Sequence, residues 1–293
     1  MRKVLPIILI VAVCALVYAL YLRNTRGGLR PHGPVVTVSF LDADLGGGVL
    51  IRTPEGGFTI VDPGPAASAD DLADYLDRLG ASRLDVIVSN SSSERAGALA
   101  KLLERIPVRR IVHGEMPGGA PAWTSAVEDA RRRRISELTL SSGDCLGLSR
   151  SAKIEAIAPS KGLLKGADSD SPENSLVTRL RVGGVRFLLL SDGGPLAEAA
   201  LLKSGANLET DVLWAAQRGG HRGTSLELIA SVRPHYCVVT AGGRLGRPSP
   251  ALIRRISSEN TGAALYRTDK DGPIDFMTDG REITVETRRG GRE

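Results

Sequence analysis

Short apolar runs alternate with helix-like segments in two similar successions, so the body of this chain belongs to the mixed α/β class. Val35–Phe40, Gly48–Arg52 and Phe58–Val61 read as strands, with Pro54-Glu55-Gly56-Gly57 as a tight turn. Ala69–Leu79 carries Leu72, Tyr75, Leu76 and Leu79 at spacings of three to four, the pattern of an amphipathic helix. Strand Leu84–Val88, helix Ala96–Arg105, strand Ile111–His113 and helix Pro121–Arg134 complete the first succession. The second runs through strands Ser175–Arg181 and Val185–Ser191, helix Leu196–Ser204, strand Asp211–Ala215, helix Ser225–Ser231, strand Tyr236–Thr240, helix Pro250–Glu259 and a closing hairpin. Lys161–Pro172, rich in Gly, Ser and Asp, reads as a long loop between the two.

Ahead of this body, Val4–Leu22 is an apolar run without a charge. As a helix it would span about 28 Å, close to the ~30 Å hydrocarbon core of a bilayer. Pro6 sits in its first turn, and Tyr18 and Tyr21 near its far end suit a membrane interface. An uncleaved anchor is the expectation, with the body outside the cytoplasm; the rival is a signal peptide cleaved near Val17-Tyr18-Ala19. Arg2 and Lys3 on one side and Arg23, Arg26 and Arg30 on the other leave the charge rule undecided between orientations.

The net charge of +5 is weak support for a nucleic-acid partner, because much of the excess lies in those flanks and in Arg288, Arg289 and Arg292 at the other end. Aromatics make up only 4% of the residues, too few to supply stacking platforms for single strands. The three cysteines show no zinc-type spacing, and Val13 is too large to precede a lipidated Cys14. Cys145 and Cys237 are expected to be buried structural thiols. Ser91-Ser92-Ser93 holds no nucleophile elbow, and Asp42–Gly48 joins strand to strand with no helix to cradle a phosphate.

Val88–Leu99 reads VSNSSSERAGAL, between a strand-like run and a helix-like one. It resembles the T-H-x-H-x-D-H-x-G-G-L loop of metallo-β-lactamase-fold hydrolases, with the frame kept and the metal ligands replaced. Other segments are similar to the ComEC-like branch of that family in the same order. They are Phe40-Leu41-Asp42 and Asp62-Pro63-Gly64, then Glu173–Val177 and Gly183–Asp192. Asp211–Gly220, Arg233–Tyr236 with Gly246–Pro250, and Tyr266–Gly272 follow. The resemblance covers roughly residues 35–287. Within it Gly47 stands where the family has an Asp.

The resemblance implies an αββα sandwich, two β-sheets face to face with helices outside, and a cleft where strand-end loops meet. It also implies a site for zinc or manganese, which needs about three ligands and an open position for water. Here Asn90, Ser92 and Arg95 stand for its histidines and Glu94 for its Asp. Gln217 and Arg218 replace the His-His pair, and Arg247 a later His. Asp192 keeps the bridging acid, and Asp62 belongs to the same cleft. An arginine charge about 4 Å from a divalent ion would cost up to roughly 8 kcal/mol at an effective dielectric of ~20. A displaced site from His113, His221 and Asp192 is the one metal alternative the histidines offer.

The reading divides the chain into a short tail 1–3, an anchor 4–22, a linker 23–34, a metallo-β-lactamase-like domain 35–287 and a basic tail 288–293. It expects a single-pass membrane protein without a catalytic residue, acting as a binding or scaffold module for an unidentified protein partner. Two alternatives stand beside it. One is a hydrolase with a non-standard metal site acting on a nucleic-acid phosphodiester, a partner implied by the family alone. The other is an anion binder built on Arg95, Arg218 and Arg247, with Asp62 and Asp192 in the same cleft. The arginines are expected to pair with the carboxylates in place of metal.

Overall fold

The computed structural model describes residues 33–116, 119–160, 162–164, 172–241, 248–258 and 262–288. The apolar run 4–22, Arg247, His32 and most of the 161–172 loop lie outside the described residues. Among the described residues no helix is long and apolar enough to cross a membrane.

The first succession builds β1 (Val36–Phe40), β2 (Val49–Arg52) and β3 (Phe58–Val61) as an antiparallel meander. Three parallel strands follow, β4 (Leu84–Val88), β5 (Val108–His113) and β6 (Ser136–Thr139). A parallel connection needs a crossover. Here helices α1 (Ala69–Arg78), α2 (Ser93–Ala96), α3 (Leu99–Arg105) and α4 (Pro121–Arg132) supply them. Gly97 divides α2 from α3, because a Cβ there would sit 2.4 Å from the Ser93 carbonyl and 2.6 Å from the Ala66 amide.

The second sheet repeats the scheme. β7 (Cys145–Gly147), β8 (Ala152–Ala158), β9 (Val177–Val182) and β10 (Val185–Leu189) are antiparallel. β11 (Val212–Trp214), β12 (Tyr236–Val239) and β13 (Ala264–Arg267) continue in parallel. Their crossovers are α5 (Pro195–Lys203), α6 (Leu226–Val232) and α7 (Pro250–Ile256). A last hairpin, β14 (Ile274–Thr278) and β15 (Ile283–Thr287), returns to the first sheet beside β1. The result is an eight-stranded and a seven-stranded sheet.

Three apolar layers hold this sandwich. The middle one lies between the sheets, where Phe40, Phe187 and Phe276 meet at ring distances of 5.5 and 6.1 Å. Burying each such ring contributes about 1.5–3 kcal/mol. The outer layers lie under α1, α3 and α4 on one sheet and under α5, α6 and α7 on the other. β4 is buried along its whole length, as a strand covered on both faces must be.

Several strands differ from the sequence reading. β6, β7, β8 and β13 carry too few β-branched and aromatic residues to announce themselves. Cys145 is exposed rather than buried, because edge strand β7 turns only Leu146 inward. Cys237, in the middle of β12, is buried as expected, and burial pushes its thiol up to about 12.

Candidate functional site

Parallel strands all end on one side of a sheet, and the loops that leave those ends gather at one rim of the sandwich. Asp62 follows β3, Ser89–Arg95 follow β4, Ser191 and Asp192 follow β10, and Gln217 and Arg218 follow β11. Four of these residues hold left-handed backbone: Asp62 (φ 54°), Ser191 (φ 51°), Gln217 (φ 55°) and Arg218 (φ 51°). Such conformations are uncommon outside glycine and cost free energy that the surrounding fold must supply. Their concentration at one rim marks it as the candidate site.

Arg95 is its centre. Its side chain is 1% exposed, yet it carries a full charge. Nη2 donates to Oδ1 of Asp192 and, at 3.4 Å, to the Ser191 carbonyl. Nη1 stands 3.6 Å from Oδ2 of Asp62. The guanidinium lies 5.5 Å over the Trp214 ring, whose indole Nε1 is fixed by a 3.0 Å bond to Oγ1 of Thr240. Burial alone would lower the Arg95 pKa, but the charges of Asp192 and Asp62 outweigh it and raise the pKa further.

The two carboxylates are held differently. Burial pulls Asp192 upward, but Arg95 and a 3.1 Å bond from Nδ2 of Asn90 keep it below the ordinary carboxylate range. The same Asn90 amide donates to Oγ of Ser175 at 2.8 Å, and its Oδ1 accepts the Ser92 amide at 3.0 Å. Asp62 is buried more completely, and desolvation raises it despite Arg95 and despite two bonds from Ser89, at 2.7 Å from N and 2.9 Å from Oγ.

Arg218 closes the rim from outside. It donates to Oε2 of Glu94 at 3.0 Å, to the Glu94 carbonyl at 2.8 Å and to the Gly46 carbonyl at 3.0 Å. Burial and the nearby Arg95 charge lower its pKa. Glu94 is thereby turned outward and spent on Arg218. Gln217 contributes its backbone, donating from N to the Ser191 carbonyl at 2.8 Å.

The residues named from the sequence therefore converge, except Arg247, which is outside the described residues. They do not fit a metal. Two carboxylates remain, and a buried guanidinium is bonded to one and close to the other. No group of three or more His, Cys, Asp or Glu among the described residues could hold an ion. His113 ends β5 on the same side, but its side chain is engaged elsewhere: its Nε2 lies 3.0 Å from Glu137, and its ring packs on Trp123 at 5.2 Å. The displaced set His113, His221 and Asp192 is not assembled.

Sequence reasoning missed Ser89, Ser175, the Gly46 carbonyl and Trp214 as members of the site. Only Ser175, in Asn174-Ser175-Leu176, stood in a motif with a polar role to suggest.

No protein-family model matches the chain. The Competence protein ComA of Neisseria gonorrhoeae is 26% identical over a 292-position alignment that covers 92% of this chain and 38% of that protein. The ComE operon protein 3 of Bacillus subtilis (strain 168) is 23% identical over 209 residues, 70% of this chain and 26% of that protein. The chain spans well under half the length of either relative. A metallo hydrolase from the hyperthermophilic archaeon Ignicoccus hospitalis superimposes with a TM-score of 0.52 at 13% identity, over 86% of this chain and 98% of that one. At that identity the likeness speaks for the fold alone.

Proposed function

We propose a non-catalytic role for this chain, which is a metallo-β-lactamase-fold protein of the ComEC-like branch. It works as a membrane-anchored binding or scaffold module whose cleft is neutralised by arginine instead of metal. One observation carries the reading. Arg95 is buried at the position of a family metal ligand and is bonded to Asp192, the carboxylate that would bridge two ions. A guanidinium offers five donors and no lone pair, so it satisfies carboxylates and ligates nothing. A protein partner fits this role, and nucleic acid, implied by the family resemblance alone, is the second candidate.

A second reading, anion binding in the rim, is favoured by donors left without partners. Nε and Nη1 of Arg95, Nε of Arg218 and Oγ of Ser191 are buried and unbonded among the described residues. Ordered water satisfies such groups as well as an anion does. Asp62 and Asp192 beside them weigh against an anion.

The test is metal analysis of the purified full chain after loading with zinc or manganese and desalting. Well under one equivalent is expected to remain. Near-stoichiometric retention that Asp192→Ala abolishes would overturn the non-catalytic reading.

A further inference from the structure

The rim just described is one end of the sandwich. The opposite end is built from the strand starts and hairpin turns, and the chain emerges there. Gly33 and Pro34 lie against the β14–β15 turn, whose Gly280 carbonyl accepts the Gly184 amide of the β9–β10 turn at 2.8 Å. The β7–β8 turn, the β2–β3 turn and the residues before β4 complete this end.

This end is basic. Three adjoining hollows, the first sharing Ser149 and Arg150 with the second and the second sharing Arg181 with the third, run across it. Seven basic residues line them, Arg83, Arg109, Arg150, Lys153, Arg179, Arg181 and Arg186, against Glu55 and Asp85; Asp279 and Glu282 stand farther off, beside Gly33 and Pro34. Asp85 is bonded by Arg109 and Arg110, and Glu155 by Lys153, Arg179 and Arg181. Arg83, Arg150 and Arg186 make no ion pair among the described residues, and Nε of Arg186 is buried without a partner. None of the three lies in a helix, so a helix dipole does not account for them.

Resting on the membrane-anchor reading above, we propose that this end lies on a bilayer surface carrying anionic phospholipid headgroups, with the rim facing away. Two independent observations meet here. The first is the free basic charge just described. The second is the short reach of the chain: ten residues, 23–32, separate the apolar run from Gly33. Ten residues can span at most about 36 Å. An anchored body is thus held near the membrane by its basic end. Each cation brought to an anionic leaflet strengthens association by about fivefold, and salt screens it.

The experiment incorporates the full chain into vesicles of phosphatidylcholine alone or with phosphatidylserine added, the anionic lipid that makes the surface potential negative. It then follows amide hydrogen exchange. Slower exchange in turns 148–151 and 183–184 with phosphatidylserine is expected. It should be reversed by salt and absent in Arg83→Glu/Arg150→Glu/Arg186→Glu, with the 89–95 loop unchanged. Flotation on neutral vesicles after carbonate washing reads the anchor separately. A chain that floats there but shows no lipid-charge dependence keeps the anchor and overturns the surface. A chain that fails to float there but gains the salt-sensitive protection overturns the anchor and keeps the surface. The same protection from a short oligonucleotide without lipid would reassign the surface and overturn the proposal.

Discussion

Arg95 and Asp192, 97 residues apart in the chain, form an ion pair that joins the two β-sheets at the rim of the sandwich. Arg95 leaves the first sheet after β4, and Asp192 leaves the second after β10. Breaking such a pair from one side strands a buried charge, which costs about 3–5 kcal/mol, whereas replacing both partners with apolar groups is often neutral. Arg95→Met should therefore cost several kcal/mol in urea unfolding, and Arg95→Met/Asp192→Leu should recover part of it, the remainder being the loss of the Arg95 charge beside buried Asp62. A double variant as unstable as the sum of the single ones would show that the two residues do not act as a pair.

The two carboxylates beside Arg95, Asp62 buried and Asp192 partly so, should respond to acid with opposite signs. Asp192 is held below its ordinary value, so its contribution is present above the unfolded value of about 3.9 and is lost as pH falls through the folded one. Asp62 is raised, so its ionised form opposes folding, and protonation on the way down from neutral pH restores stability. Stability should stay level or rise slightly as pH falls from neutrality, then drop below about 3.9. Asp62→Asn should remove the rise and leave the drop. Denaturation across that range checks both, and an unchanged profile in Asp62→Asn would sink the assignment.

How far this site was legible turns on what kind of residue each position needs. Arg95, Asp192 and Arg218 could be named because they stand in a frame of strand-end motifs whose order survives. Ser89 could not: it acts by offering an amide and a hydroxyl to Asp62, and a serine at a strand end looks like any other. The Gly46 carbonyl that Arg218 uses has no side-chain signal at all. The same contrast holds for the fold. β4 announces itself with five buried residues, while β7 is a three-residue edge with one inward side chain. What burial on both faces dictates can be read along a chain; what a single pairing partner decides cannot.

Arg218 sits nearer solvent than Arg95, at 13% exposure, and bonds a half-exposed Glu94. Its removal loses three hydrogen bonds but also relieves repulsion from Arg95. Arg218→Ala should lower the melting temperature by a few degrees, corresponding to about 1–2 kcal/mol for a domain of this size. Phosphate should leave the wild-type melting temperature unmoved. A phosphate-dependent increase that Arg218→Ala removes would favour anion binding in the rim instead.

Gly47 offers a sharper probe of the same arginine. A Cβ at Gly47 would lie 3.6 Å from Nε of Arg218 and 3.8 Å from its Cζ, an ordinary contact distance. That Nε is buried and has no partner among the described residues. Gly47 has φ +67°, which aspartate tolerates better than most residues because its short side chain bonds locally. Gly47→Asp would place a carboxylate beside the unbonded donor. The charge-assisted bond gained, about 1.5–3 kcal/mol, should exceed the left-handed backbone cost of about 1 kcal/mol. A higher melting temperature is expected for Gly47→Asp, and the gain should vanish when Arg218→Ala is added. If the gain survives without Arg218, the carboxylate has found another partner and the empty space beside Nε does not explain it.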